Sequence, residues 1–203
     1  MKNFIWDFDG TLFDTYTHTV TVLRRYMAER GRHYEYDALY AVCREHMGKA
    51  RAFCEADDDE WNEFFRREAD IDAPPLAGPY RGAADVLSGV TAAGGRNFLY
   101  THRDAVSVKY LEKYDLAQYF TGFVTRENAF PQKPAADAIC YLLRRYRMDP
   151  AETVMVGDRE IDILSGKNAG VHTCLFTEGN PGAPVTVAEY TVSDMAAFRE
   201  LFL

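Results

Sequence analysis

The chain has 203 residues, of which 47% are hydrophobic and 27% are charged, a composition typical of a folded soluble protein. A chain of this length can form one domain, or one domain that carries a sizeable insertion. The formal net charge of -8 argues against the broad basic surface that binds nucleic acid or an anionic membrane. A small anionic ligand is still allowed where positive groups are concentrated locally.

The four cysteines, Cys43, Cys54, Cys140 and Cys174, are far apart and form neither a Cys-x-x-Cys pair nor a metal-like spacing with histidine. We expect buried thiols rather than disulfides. The first residues enter a strand without the charged region and apolar stretch of a secretion signal, and no apolar run approaches the roughly 20 residues that span a membrane. These features predict a cytoplasmic protein without a membrane partner.

The first predicted strand begins near residue 3 and leads into Asp7-Phe8-Asp9-Gly10-Thr11. An apolar strand that delivers two carboxylates, a glycine turn and a hydroxyl concentrates negative charge where the strand ends, and this is costly unless a cation balances it. Open parallel sheets bind ligands in the crevice beyond the carboxyl ends of their strands. The segment therefore predicts a ligand site that contains a cation.

An all-helical pattern follows the first strand. Apolar spacing predicts a helix over residues 15–30, capped by Asp14 and ended by Gly31, and then short helices over residues 36–69. No convincing strand pattern occurs in this part of the chain. The proline-rich and glycine-rich run at residues 72–79 is typical of a linker.

Beyond residue 79 the pattern alternates between helix and strand. We predict helices at 82–93, 104–114, 134–146, 160–169 and 194–203, and strands at 97–101, 122–125, 153–157 and 171–176. This alternation implies a parallel sheet with helices on both faces, and the first strand must join it. The predicted fold class is α/β: a Rossmann-like parallel-sheet core of residues 1–14 and 79–203, with an all-helical insertion at 15–78.

Polar side chains follow the predicted strands or precede the next helix: Asp7, Asp9, Thr101, Lys133, Asp158 and Asp162. This set suits phosphoryl transfer. A carboxylate such as Asp7 can attack phosphorus and form an acyl-phosphate, which divides one difficult displacement into two easier ones. Because a phosphate dianion repels that carboxylate, the site needs a cation. Asp7 and Asp158 offer the one or two carboxylates that Mg²⁺ usually takes from protein.

The other polar groups can serve the same reaction. Lys133 adds a point charge. Thr101 and backbone N–H groups of the turn at Asp9 and Gly10 can hydrogen-bond the phosphate oxygens. Asp9 can protonate the leaving oxygen and later deprotonate water.

These residues resemble the motifs of the haloacid dehalogenase-like superfamily of phosphohydrolases over almost the whole chain. The run Asp7-Phe8-Asp9-Gly10-Thr11 is similar to its first motif, Thr101 to its second, Lys133 to its third and Gly157-Asp158-x-x-x-Asp162 to its fourth. The resemblance implies that Asp7 is the nucleophile and Asp9 the acid/base. It also implies that the Asp7 carboxylate, the Asp9 carbonyl and Asp158 bind Mg²⁺. Asp162 would then lie in the shell around these ligands.

The helical insertion is similar to the small cap of phosphoglycolate phosphatase and β-phosphoglucomutase relatives. The resemblance implies that a cap loop closes over the substrate and sets specificity. The best candidate is the run at 47–51, which contains Gly48, Lys49 and Arg51. The chain departs from the family after Thr101, where we expect His102 and Arg103 to add positive charge beside the bound phosphate.

The expected activity is that of a Mg²⁺-dependent phosphatase, a hydrolase acting on a small phosphorylated metabolite through an aspartyl-phosphate. One alternative is a phosphomutase of the β-phosphoglucomutase type, which uses the same residues but passes the phosphoryl group to a sugar hydroxyl. A second alternative is a non-catalytic phospho-acceptor module of signalling. Receiver domains, however, keep their paired acids and phosphorylated aspartate on different strands and lack a large helical insertion.

Overall fold

The computed structural model describes residues 1–74, 77–178 and 187–203. The chain divides into two compact units, which we call the core unit (Met1–Phe13 with Pro79–Leu203) and the helical unit (Asp14–Gly78). The first break follows Phe13, one residue before the boundary expected from the sequence. The expected linker at 72–79 includes residues 75–76, which lie outside the described residues.

A parallel sheet lies at the centre of the core unit. Its six strands in the described residues are β1 (Asn3–Trp6), β2 (Arg96–Tyr100), β3 (Phe120–Val124), β4 (Thr153–Gly157), β5 (His172–Phe176) and β6 (Tyr190–Val192). Their order across the sheet is β3-β2-β1-β4-β5-β6, and every neighbouring pair is parallel. The chain leaves β1 toward β2 and β3, then returns to β4 on the other side of β1. This reversal is where open α/β sheets hold their ligands.

Helices of the core unit cover both faces of this sheet. Within the described residues the four helical-unit helices are α1 (Thr15–Ala28), α2 (Tyr36–Glu45), α3 (Met47–Phe53) and α4 (Asp58–Glu68), and the core-unit helices are α5 (Ala83–Ala92), α6 (Val106–Lys113), α7 (Asp137–Tyr146), α8 (Glu160–Asn168) and α9 (Met195–Phe202). Successive side chains of a strand point to opposite faces. Phe4 and Trp6 pack on Phe198 of α9, with ring centroids 5.6 and 4.7 Å apart, whereas Ile5 joins a buried cluster with Ile139 of α7. The predicted α/β class is confirmed.

Two elements of the core unit differ from the sequence expectation. Pro134 does not open α7, which begins at Asp137. The N–H of Ala135 donates to the carbonyl of Gln132 at 2.9 Å, so a turn precedes the helix. The short strand β6 was not expected, because three residues at a sheet edge give too little alternation to be recognised.

The helical unit has its own apolar core. Asp14 caps α1 as expected, since its Oδ1 accepts the N–H of Thr17 at 3.2 Å. The side chains that fill the unit come from all four of its helices and include Leu23, Tyr26, Met27, Leu39, Ala50 and Phe64. Burying a large apolar side chain contributes roughly 1.5–3 kcal/mol, which compensates for helices too short to be stable alone. Among the described residues, no helix is both long enough and apolar enough for a membrane crossing.

Candidate active site

Asp7 directly follows β1, at the carboxyl end of this central strand, where the strand order of the sheet reverses. Its N–H donates to the carbonyl of Val156 at 2.9 Å, which fixes the backbone against β4. The side chain is buried, and its Oδ1 accepts the ammonium of Lys133 at 2.7 Å. Its Oδ2 is also buried and accepts no hydrogen bond from the described residues. One carboxylate oxygen is therefore held, and the other is available to a ligand.

Burial raises the pKa of Asp7 to about 6, because a charged carboxylate loses its hydration there. The nearby ammonium of Lys133 acts in the opposite direction and lowers this pKa, while the charge of Asp162 raises it. Lys133 is itself fully buried between these two acids; burial alone would lower its pKa, but the negative charges and hydrogen bonds of Asp162 and Asp7 together outweigh burial and raise it. The ammonium therefore stays charged between the carboxylates of Asp7 and Asp162.

Three buried carboxylates meet at this point. Ligand oxygens of Asp7, Asp158 and Asp162 all lie within 4.8 Å of one another. The ammonium of Lys133 lies against two of these acids, Asp7 and Asp162, and buried negative charge at this density is unfavourable unless cations balance it. A divalent cation with oxygen ligands fits this cluster in charge and in donor type.

Asp162 lies in the cluster itself, whereas the sequence placed it around the ligands. Its Oδ1 is 2.7 Å from the ammonium of Lys133, and its Oδ2 accepts the N–H of Arg159 at 3.1 Å. The close approach depends on Gly157, since a Cβ there would stand 2.3 Å from the Cβ of Asp162. Sequence reasoning assigned no role to Gly157. Its position directly before Asp158 at a strand end was the available signal.

Thr101 follows β2, so it flanks Asp7 on the side opposite Asp158. It is buried, and its N–H donates to the carbonyl of Val124 at 3.0 Å. Its Oγ1 accepts the N–H of Arg103 at 3.0 Å. Because that lone pair is used, the hydroxyl proton points elsewhere and can be donated to an oxyanion.

His102 carries no positive charge at neutral pH, contrary to the sequence expectation. Burial, assisted by the nearby cations Lys133 and Arg159, lowers its pKa to about 4. Its Nε2 accepts the backbone N–H of Lys133 at 2.8 Å, which requires that nitrogen to be unprotonated. His102 is therefore a neutral acceptor in this structure.

The carboxylate of Asp9 points to a different partner from that of Asp7. Its Oδ1 lies 2.9 Å from the Nε of Arg103, and both side chains are about one-fifth exposed or less, at 21% and 16%. The sequence placed Arg103 near the phosphate but did not pair it with Asp9.

The expectation of an available N–H at Gly10 was wrong, because that group donates to the carbonyl of Phe13 at 2.9 Å. Gly10 instead provides the positive φ of 72° that the turn needs.

The run at 47–51 is a helix and not the expected loop. It forms most of α3, and the Nδ1 of His46 accepts the N–H of Gly48 at 2.9 Å to cap it. Lys49 pairs with Glu45 one turn away. Arg51 donates to the carbonyl of Ala56 at 3.0 Å and to Asp58 at 2.6 Å. Both cations therefore have acidic partners within the helical unit.

The geometry agrees with what comparison with known proteins shows. The chain belongs to the haloacid dehalogenase-like hydrolase family, whose model matches residues 4–176. Within that family it is a phosphatase. It is 30% identical over 206 residues to a phosphoglycolate phosphatase of Agrobacterium fabrum (strain C58 / ATCC 33970), a match that covers 95% of this chain and 88% of that protein.

Solved structures share the fold. A hydrolase from Streptococcus pneumoniae TIGR4 has 31% sequence identity and a TM-score of 0.69, over 87% of this chain and 94% of that one. A subfamily IA hydrolase of the haloacid dehalogenase superfamily, from Geobacter sulfurreducens PCA, has 23% identity and a TM-score of 0.78. That match covers 99% of this chain and 96% of the other. The second likeness concerns the fold alone.

Proposed function

We propose that this phosphatase hydrolyses a small phosphate monoester through an aspartyl-phosphate on Asp7, with Mg²⁺ as its cation. The observation that carries the proposal is the buried Asp7 carboxylate, which has one oxygen held by Lys133 and the other available beside two further acids. Activating a nucleophile and neutralising a phosphate dianion both require this arrangement. Mg²⁺ bound by Asp7 and Asp158, with the backbone carbonyl of Asp9, would supply the missing positive charge.

The protein groups then have distinct tasks. The available oxygen of Asp7 attacks phosphorus as the bond from phosphorus to the leaving oxygen breaks. Asp9 gives its proton to that oxygen, later takes a proton from the attacking water, and so allows the acyl-phosphate to be hydrolysed to Asp7 and inorganic phosphate. Lys133 and the hydroxyl of Thr101 hold the non-bridging oxygens.

We propose 2-phosphoglycolate as the first substrate to test. The support is the full-length similarity to a phosphoglycolate phosphatase at 30% identity. We further propose that substrate ranking depends on Gly48, Lys49 and Arg51 of α3. Lys49 is 60% exposed, and an exposed ion pair contributes about 0–1 kcal/mol, so its ammonium can leave Glu45 for a substrate anion at little cost.

The four cysteines support a proposal about the compartment. All four are free thiols. Burial raises the pKa of Cys43 and Cys174 to about 12 and that of Cys54 to about 11, so these three are poor nucleophiles and oxidise slowly. We infer that the enzyme works in a reducing compartment, the cytoplasm.

The decisive experiment compares Asp7→Asn and Asp9→Asn with the wild type. We expect Asp7→Asn to abolish both phosphate release and the covalent label from a ³²P-labelled substrate. Asp9→Asn should lower turnover by at least about 10²-fold, because it loses the acid/base step. The control is Asp85→Asn, an exposed acid in the first turn of α5. Near-normal turnover of either active-site variant would refute the mechanism.

Two further measurements separate the alternatives. Excess EDTA should stop turnover, Mg²⁺ should restore it, and Asp158→Ala should need far more metal than the wild type; full activity in EDTA would exclude the metal proposal. Incubation with sugar phosphates distinguishes phosphate release by a phosphatase from an isomerised sugar phosphate made by a mutase. A stoichiometric label on Asp7 without turnover would indicate a phospho-acceptor module.

A further inference from the structure

Lys133 lies in a segment that has no regular secondary structure to hold it. The segment runs from the end of a short turn of helix at Asn128 to the start of α7 at Asp137. Yet the Lys133 ammonium must sit 2.7 Å from both Asp7 and Asp162. A charge that serves two carboxylates needs a fixed backbone, because a misplacement of about 1 Å can cost about 100-fold in rate.

The end of β2 touches Lys133 at two points. The ring of Tyr100 lies under the ammonium, with the Nζ 4.6 Å from the ring centroid. Two residues on, the Nε2 of His102 accepts the backbone N–H of Lys133 at 2.8 Å. The rings of Tyr100 and His102 pack edge to face, with centroids 6.3 Å apart and an interplanar angle of 76°. Both ends of the lysine are thus held by one short segment.

We propose that His102 is a positioning residue, a neutral acceptor that fixes the backbone of Lys133 so that its ammonium reaches Asp7 and Asp162. The proposal rests on the proposed function for the role of Lys133. It replaces the expectation that His102 adds positive charge beside the phosphate, because an Nε2 that accepts the Lys133 N–H belongs to a neutral ring.

The chemistry of the acceptor explains why an imidazole suits this position. The backbone N–H of Lys133 needs an acceptor, and a buried N–H without one is unfavourable. A protonated imidazole has only donors and would face the ammonium of Lys133 as a like charge. A glutamine amide, whose oxygen reaches nearly as far as Nε2, can take over the acceptor role.

The test compares His102→Leu, which removes the acceptor, with His102→Gln, which keeps it. With p-nitrophenyl phosphate and saturating Mg²⁺, we expect His102→Leu to lower kcat by about 10–100-fold. His102→Gln should stay within about threefold of the wild type, because a neutral acceptor remains. His172→Leu is the control, since the Nε2 of His172 likewise contacts a backbone group, here the carbonyl of Ala151 at 3.1 Å, at the opposite end of the sheet. Equal activity of the leucine variant and the wild type, or equal loss in the leucine and glutamine variants, would overturn the proposal.

A double-mutant cycle tests whether His102 acts through Lys133. The measured quantity is the dissociation constant of inorganic phosphate with Mg²⁺ present, which can be determined even in inactive variants. We expect His102→Leu to weaken phosphate binding in the wild type and to have no further effect in Lys133→Ala. Additive effects would mean that His102 contacts phosphate itself.

Two further results distinguish a failure of the positioning role from a failure of the proposed function or of folding. If Asp7→Asn keeps full turnover, the function is wrong, whatever the His102 variants do. If His102→Leu fails to fold, His102→Asn replaces it. Its amide has the same chemistry as glutamine but is too short to reach the N–H of Lys133, so asparagine should be impaired and glutamine active. Equal activity of these two amides would refute the positioning role.

Discussion

The buried charge of Lys133 gives the sharpest test of how the site is held together. Its side chain is 0% exposed, and those of Asp7 and Asp162 are 1% and 0% exposed. Lys133→Met keeps the length and apolar stem of the side chain but removes its charge. Breaking a buried ion pair in this way costs about 3–5 kcal/mol, because the remaining carboxylates stay buried without compensation.

The loss of unfolding free energy should depend on pH and on metal. Near pH 5 the cost falls toward about 3 kcal/mol, because Asp7 can take up a proton where its pKa is already raised to about 6. Near pH 8 Asp7 is charged in the wild type, so Lys133→Met removes a complete ion pair and the cost approaches about 5 kcal/mol. Mg²⁺ at about 100 times its dissociation constant should return about 2.7 kcal/mol.

Urea unfolding followed by circular dichroism, in EDTA and then in Mg²⁺, measures these quantities. A loss of 3 kcal/mol moves the urea midpoint by on the order of 1–2 M. The control is Lys109→Met on α6, an exposed lysine whose replacement should change stability by less than about 0.5 kcal/mol. If Lys133→Met and Lys109→Met unfold at the same urea concentration in EDTA, the buried-charge argument is wrong.

Three further results are expected. In EDTA, the stability that Asp7 contributes is complete below its ordinary pKa of 3.8 and lost as pH rises through 6, whereas that of His102 is complete above 6.5 and lost as pH falls through 4. As pH rises from 4 to 6.5, the unfolding free energy of His102→Gln, which keeps only the Asp7 contribution, should therefore fall, and that of Asp7→Asn, which keeps only the His102 contribution, should rise. If the two variants show parallel curves of unfolding free energy against pH, both pKa shifts are contradicted. Gly157→Ala should cost about 1–3 kcal/mol and weaken Mg²⁺ binding, measured by calorimetry, because its Cβ displaces Asp162; unchanged binding would exclude that displacement. Arg51→Ala should change KM and the ranking of a phosphometabolite panel far more than kcat for p-nitrophenyl phosphate, and an unchanged ranking would place specificity elsewhere.

The sheet could be predicted because its strands are short apolar runs that end at polar residues. The strand before Asp7 and the strand before Asp158 carry strong signals of this kind, and the structure places them side by side. Because open parallel sheets bind ligands beyond the carboxyl ends of their strands, the acids that follow these two strands could be predicted to lie in one site. The helix α3 lies within the helical stretch predicted at 36–69, but its start was not recognised and the run 47–51 was assigned to a loop. Its cap is the side chain of His46, an uncommon capping residue, and Gly48 has low helix propensity.

The partners of the site residues were beyond what the sequence predicts. Lys133 and Asp7 are 126 positions apart, and only the three-dimensional packing shows that the ammonium also reaches Asp162. The pairing of Arg103 with Asp9 and the neutral state of His102 likewise depend on side-chain directions and burial. Residue type and spacing identify which groups a reaction needs. They do not determine which partner each group takes.

The chain leaves and re-enters the core unit at adjacent points. Phe13 and Pro79 form an antiparallel bridge, and the N–H of Tyr80 donates to the carbonyl of Leu12 at 2.9 Å. Antiparallel neighbours can be joined by a turn of two residues, so the core unit could be closed there without its insertion. The helical unit is thus a replaceable module. If α3 sets substrate ranking as proposed, transplanting the corresponding segment of a relative between these two points should exchange substrate preference and leave Asp7, Lys133 and their partners in place.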